Sequence, residues 1–162
     1  MTEIILTTVL AVTLGVHLLT ALLAALRYRK APPAGVDDEL PFVSLVRPVC
    51  GLDTFDAETL GSSFAQEYPR YEVIFCAPSD RDPAVPLVRE MIAANPHVEA
   101  ELLCGENAIS GNPKLNNLHK GYISARGEWL AMTDSNLLLP PEYLRTLVDT
   151  WRGNTGLVSS PP

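Results

Sequence analysis

Two regimes of hydrophobic patterning divide the chain. From Ile4 to Leu26 apolar residues run without a formal charge, interrupted only by Thr7, Thr8, Thr13, His17 and Thr20. At about 1.5 Å per residue these 23 residues form a helix of roughly 34 Å, enough to cross a hydrocarbon core of about 30 Å. From Phe42 onward, short apolar runs alternate with amphipathic ones. Phe42 to Val46 reads as a buried strand stopped by Pro48 and Gly51. Asp53 or Thr54 is placed to cap a helix running to about Gln66, with Leu60 and Phe64 on one face. Tyr71 to Ala77 is a second strand, and Val85 to Ala94 a helix with Val85, Val88 and Ile92 inward. Val98 to Cys104 makes a third, weaker strand. After the loop Gly105 to Asn112, Pro113 opens a helix to about Ala125, at a position where proline is tolerated. Trp129 to Thr133 is the fourth strand. Pro140 or Pro141 starts a helix to about Trp151, and Leu157 to Ser159 begins a fifth strand. Strands alternating with helices of this length predict an α/β fold, a mostly parallel sheet covered on both faces.

The flanks of the apolar run decide what it is. A cleaved signal peptide has a basic leading end and a shorter apolar core. Here Glu3 leads, and the basic cluster Arg27, Arg29, Lys30 follows. The run therefore predicts an uncleaved transmembrane helix over 4–26. Its basic flank faces the cytoplasm, which places the soluble part there in a single-pass arrangement. Residues 27–41 form that flank and a polar, proline-containing linker, and 42–162 the soluble domain. The three cysteines, Cys50, Cys76 and Cys104, are odd in number and lack metal-ligand spacing, which predicts reduced thiols. Of the 19 acidic residues one (Glu3), and of the 12 basic residues three, precede residue 31. The remainder holds 18 against 9, a formal charge of −9. That balance argues against a nucleic-acid partner, which needs a basic stripe. Oligomeric state is left open.

Three segments carry candidate chemistry. Ser79-Asp-Arg-Asp-Pro-Ala84 and Thr133-Asp-Ser-Asn136 each close an apolar strand, and Gly111-Asn-Pro-Lys-Leu-Asn-Asn117 lies between them. Carboxylates at the carboxyl ends of neighbouring strands sit where open α/β sheets hold ligands. Asp134, after Trp129 to Thr133, is positioned to hold a magnesium or manganese ion bridging diphosphate oxygens. Read alone, each aspartate is equally a strand terminator or helix cap. Lys114 opens a helix behind a glycine-containing loop, where unpaired N–H groups favour an anion and a lysine reaches phosphate oxygens. Asn116 and Asn117 either add amide contacts or face solvent. His17 reads as a tolerated polar residue in the span, and His97 as surface loop.

The run Val43-Ser-Leu-Val-Arg-Pro-Val-Cys-Gly51, then Tyr68-Pro-Arg-Tyr-Glu-Val-Ile-Phe-Cys76, Asp82-Pro-Ala84, Gly111-Asn-Pro-Lys-Leu-Asn-Asn-Leu118, Gly121-Tyr122, Asp134-Ser135 and Gly156-Leu157-Val158 resembles the ceramide glucosyltransferase family (glycosyltransferase family 21, related to family 2). The resemblance covers nearly the whole chain. It implies a GT-A fold, a UDP-sugar donor, a divalent cation (magnesium or manganese) and a lipid acceptor in the membrane. Carried over, Asp82 matches the family's first, nucleotide-binding aspartate, and Asp134 its metal and diphosphate aspartate. Lys114, Asn116 and Asn117 belong to the donor-binding block. Ser79 stands where relatives often have an acidic residue, Arg47 replaces a common lysine, and His119-Lys120 lies in a variable spot. No residue of the chain matches the family's third aspartate, the acceptor base, or its Gln/Arg-x-x-Arg-Trp motif. The catalytic residue is thus unassigned. The resemblance implies a domain incomplete on its C-terminal side, inactive alone towards ceramide. Alternatives are a transferase acting on a hopanoid, diacylglycerol or polyprenyl phosphate, and a non-catalytic nucleotide-binding module.

Overall fold

A computed structural model of the chain describes residues 1–28, 40–105, 107–151 and 154–159. The chain forms two compact units, Met1–Pro33 and Ala34–Pro162. The first is one helix, α1 (Thr2–Tyr28). Its residues Thr2–Leu26 are long and apolar enough to cross a membrane. In hydrocarbon a polar group must be satisfied within the segment. The four threonines after Thr2 comply: the hydroxyls of Thr7, Thr8, Thr13 and Thr20 donate to the carbonyls of Glu3, Ile4, Val9 and His17 at 2.8–2.9 Å. Arg29, Lys30 and most of the expected linker lie outside the described residues, as does the side chain of Arg27.

The second unit is built on four parallel strands, β1 (Val43–Pro48), β2 (Tyr71–Ala77), β3 (Glu99–Cys104) and β4 (Trp129–Met132), in the order β3-β2-β1-β4. β1 and β2 are central, and their β-branched runs are buried on both faces, as parallel strands require. β3 at one edge alternates exposed and half-buried positions, which is why its apolar signal is weak. The helices are α2 (Asp56–Gly61), followed by a 3₁₀ turn over Ser62–Phe64, then α3 (Ala84–Ala94), α4 (Pro113–Ser124) and α5 (Tyr143–Thr150). One cluster joins Val43, Leu45, Val73 and Phe75 with Leu60, Phe64, Val85, Val88, Leu144 and Val148. Val46, Ile74 and Cys76 form a separate cluster with Leu103, Leu118 and Leu130. The split follows from handedness: β1 to β2 to β3 steps one way across the sheet, and β3 to β4 steps back over β1. Right-handed crossovers then put α4 on the opposite face. There Gly121 allows close approach, since a Cβ at this position would stand 2.6 Å from both Cys76 Sγ and Val46 Cγ1.

Some boundaries differ from the sequence expectation. β1 continues through Arg47 and Pro48, which pair with Phe75 and Cys76. α2 begins at Asp56 rather than after a cap at Asp53 or Thr54, because the Asp56 carboxylate turns back to accept from Asp53 N (2.7 Å) while Asp53 binds Thr54 N (2.6 Å). Leu157 to Ser159, expected to begin a fifth strand, forms none among the described residues.

Candidate functional site

The reversal of strand order makes the crevice beyond the carboxyl ends of β1 and β4 a topological switch point, where open α/β sheets bind ligands. Two charged side chains meet there. Asp134 stands two residues beyond β4, and Lys114 lies in the first turn of α4; their ammonium and carboxylate form an ion pair, each side chain about half exposed (54% and 51%). The second carboxylate oxygen of Asp134 has no partner among the described residues. Nor does any group of three or more His, Cys, Asp or Glu side chains suited to a metal occur among them.

The other sequence-predicted residues have different surroundings. Asp82 is buried, and its two oxygens accept from Gly51 N at 3.0 Å, one also from Ala84 N at 2.9 Å. It ties the loop after β1, where Gly51 takes φ +77°, to the start of α3. Asn116 is buried against its own loop: Oδ1 accepts from Ile109 N (3.1 Å) and Ser110 N (2.9 Å), and Nδ2 donates to Ser110 O (3.0 Å). Asn117 reaches the sheet, donating to Cys76 O (2.6 Å) and Val49 O (3.4 Å). Neither asparagine faces solvent. The anion-binding expectation at α4 is revised in one respect. Asn112 caps the helix, its Oδ1 accepting from Lys114 N (3.0 Å) and Leu115 N (3.3 Å), so those amides are occupied. Any attraction for phosphate at this end must come from the Lys114 side chain.

Two residues assigned no role from sequence help build the site. Lys120 donates from Nζ to Ala77 O (2.5 Å), Asn117 Oδ1 (2.6 Å) and Gly105 O, clamping the ends of β2 and β3. Arg47 is fully buried. Its Nη1 donates to Thr59 O (2.8 Å) and Ser63 Oγ (2.9 Å), and its Nη2 to the carbonyls of Asp134 (2.7 Å), Ser135 (3.1 Å) and Leu137 (2.8 Å). Burial pulls its guanidinium down to about 10, so it remains charged at neutral pH. The signal was present in the sequence: Arg47 shares parity with Val43 and Leu45, hence an inward face. Cys76 is buried, whereas Cys50 and Cys104 are exposed, all three as free thiols.

The fold is that of GT-A glycosyltransferases. It resembles the mannosyltransferase of Pyrobaculum calidifontis, solved in complex with GDP-Man and Mn2+, with a TM-score of 0.65 and 24% identity over 86% of this chain and 41% of that one. Residues 1–349 of S. aureus TarS match with a TM-score of 0.54 and 20% identity over 67% of this chain and 32% of that one. In sequence, the ceramide glucosyltransferase of Candida albicans is 33% identical over 138 residues, 77% of this chain and 25% of the relative. Ceramide glucosyltransferase 1 of Caenorhabditis elegans is 30% identical over 132 residues, 82% of this chain and 28% of that one. The chain thus spans little more than a quarter of these relatives' length. The glycosyl transferase family 21 matches residues 4–162, nearly end to end, and the chain belongs to that family.

Proposed function

We propose that this chain is the donor-binding part of a membrane-anchored glycosyltransferase that moves a hexose, glucose, from a UDP-sugar to a lipid acceptor such as ceramide. In this reading 4–26 is the anchor, 27–41 its flank and linker, and 42–162 the nucleotide-sugar-binding part, on the cytoplasmic side because Arg27, Arg29 and Lys30 follow the span. The observation that carries it is the Lys114–Asp134 pair at the switch point of a GT-A sheet. The named relatives support a glucosyl donor and a ceramide acceptor.

The residues fit a divalent cation. A lysine ammonium already stands against the Asp134 carboxylate as a monovalent stand-in, and the second oxygen is open. A single carboxylate is enough for magnesium or manganese that takes its remaining ligands from diphosphate and water. When bound, such an ion neutralises the negative charge that develops on the departing diphosphate. The chain's own residues hold the donor in place. Lys114, freed from Asp134, turns its ammonium to a phosphate oxygen. Asp82 fixes the Gly51 loop beside the nucleotide, and Asn116 and Asn117 hold the loop at 109–110 and the strand ends in register.

Titration calorimetry on the full chain in detergent micelles tests this reading. UDP is expected to bind in the presence of Mn2+ or Mg2+, more tightly than GDP or AMP. Equal affinity with and without metal, or no preference for UDP, would sink it.

A further inference from the structure

Arg47 breaks the pattern of the strand that carries it. Its neighbours on the same face, Val43, Leu45 and Val49, are core residues, and its own side chain is 0% exposed. Moving a guanidinium out of water is costly unless a counter-charge meets it. No carboxylate touches it: among the described residues every hydrogen-bond acceptor on Arg47 is a carbonyl or a hydroxyl, its buried Nε has no partner, and Asp134 and Asp56 act on it only through space. A charge placed at a core position and spent on loop carbonyls rather than on a carboxylate marks a functional constraint.

The geometry shows what the constraint is. Three carbonyls of one loop, from Asp134, Ser135 and Leu137, turn inward onto a single Nη2. The other end of the fork is fastened to Thr59 O and Ser63 Oγ at the end of α2. The loop backbone is thereby pinned from beneath, and the Asp134 side chain is left to Lys114 on the outer side. We propose that Arg47 is the positioning residue for Asp134: it fixes the loop 134–137 so that the carboxylate is presented in one orientation to the divalent cation of the nucleotide-sugar donor. This rests on the reading of Asp134 as the metal carboxylate. Outer-shell partners of that kind typically contribute about 10–100-fold to metal affinity.

The test compares wild type with Arg47→Met and Arg47→Lys as full chains in detergent micelles. Mn2+ binding is followed by the loss of the free-ion electron paramagnetic resonance signal, Mn2+-dependent UDP binding by calorimetry, and folding by circular dichroism and thermal melting. Arg47→Met keeps the apolar stem and removes every donor; we expect Mn2+ affinity to fall about tenfold or more. Arg47→Lys retains a charged donor for the loop and is expected to recover binding to within about threefold of wild type. A folded Arg47→Met chain with wild-type Mn2+ affinity overturns the proposal, as does an Arg47→Lys chain no better than Arg47→Met. If Arg47→Met does not fold, Ser63→Ala, which removes only an Nη1 anchor, should still weaken Mn2+ binding severalfold, and unchanged binding overturns the proposal. Wild type without Mn2+-dependent UDP binding refutes the donor reading and this proposal together. Such binding, equal in wild type and variant, refutes this proposal alone.

Discussion

The two ends of the sheet treat a carboxylate in opposite ways. At the amino end, Glu72 is buried and its oxygens are filled: Oε1 accepts from Ser44 Oγ (2.6 Å) and Arg126 N (2.8 Å), and Oε2 from Arg126 Nε (2.8 Å) and Nη2. Burial by itself pushes this carboxyl up, but the Ser44 and Arg126 donors outweigh it and hold it below the usual range. Arg126 also reaches Glu99 at 2.6 Å, and Gly127 N completes the ring by donating to Ser44 Oγ (2.8 Å). At the carboxyl end, Asp134 is half exposed and pairs with Lys114 through one oxygen, while the buried charge beneath it, Arg47, has no carboxylate in contact. A carboxylate whose lone pairs are filled from within stabilises the fold. One left half filled over a buried positive charge is available to a ligand.

That contrast predicts separable phenotypes. Asp134→Asn removes the proposed metal carboxylate and should reduce Mn2+-dependent UDP binding by about a hundredfold, since even outer-shell losses reach 10–100-fold. Its thermal stability should change little, because an exposed ion pair contributes only about 0–1 kcal/mol. Calorimetry and melting on the same sample separate the two effects. A large loss of stability with intact UDP binding would reverse the roles assigned to the two ends.

Glu72→Gln is the mirror experiment. Replacing a buried, charge-assisted acceptor should destabilise the chain by about 1.5–3 kcal/mol without changing UDP affinity in the folded state. The pH dependence follows from the direction of the shift. Because the folded carboxyl lies below its ordinary value of 4.5, its contribution is present above that pH and is lost as the pH falls through the lower folded value. The difference in melting temperature between wild type and Glu72→Gln should therefore shrink on acidification below about 4.5. A difference that stays constant down to pH 3 would show that the network does not depend on ionised Glu72.

Much of this architecture was legible in the sequence, for reasons that also explain the misses. β2 is legible because its burial is nearly continuous, α3 because its buried positions recur at helical spacing, β4 from its short apolar run, and Pro113 marks the start of α4. The juxtaposition of Lys114 and Asp134 followed from strand-end chemistry. The burial of Arg47 is not legible because the apolar run ends at Val46, whereas a guanidinium can be accepted inside a sheet when a distant loop supplies its acceptors. The partners of Asn116 and Asn117 escaped for a related reason. A short amide will bond whatever backbone lies within reach, and only the packing of α4 on β1 and β2 determines that this is Val49 O, Cys76 O and the 109–110 loop. Helix α2 is shorter than the sequence suggests at both ends: Asp53, Thr54 and Asp56 all have capping chemistry and compete to set the start, and a 3₁₀ turn over Ser62–Phe64 replaces its last turn.

Lys114 sharpens the comparison further, with a smaller effect and a change of sign. If its ammonium holds the place of the divalent ion, Lys114→Gln removes a competitor for Asp134. Mn2+ alone should then bind a few-fold more tightly, in keeping with an exposed pair worth less than about 1 kcal/mol. UDP in the presence of Mn2+ should bind more weakly, through loss of the phosphate contact. Parallel changes in both measurements would refute the exchange, and the free-ion resonance signal with and without UDP distinguishes the cases.

The smallest effect concerns the thiols, which extend the contrast from carboxylates to nucleophiles. Cys76 Sγ lies under Gly121 of α4, and burial pushes the thiol up to about 11, with Lys120 pulling more weakly the other way. Thiolate is the reactive form, so at pH 8 this group is protected twice, by access and by protonation. Exposed Cys50 and Cys104 are not shielded by packing. Iodoacetamide on the folded chain should therefore modify two cysteines readily and the third only in denaturant, as mass spectrometry of the peptides would show. The linked stability effect has the sign of a raised acid. It is fully present below the ordinary value of 9.0 and is lost as pH rises towards about 11, where the unfolded chain ionises first. Cys76→Ala should flatten that alkaline decline relative to wild type. Prompt alkylation of Cys76 in the native chain would mean that α4 opens readily from the sheet, and the close Gly121 contact would then not describe the resting protein.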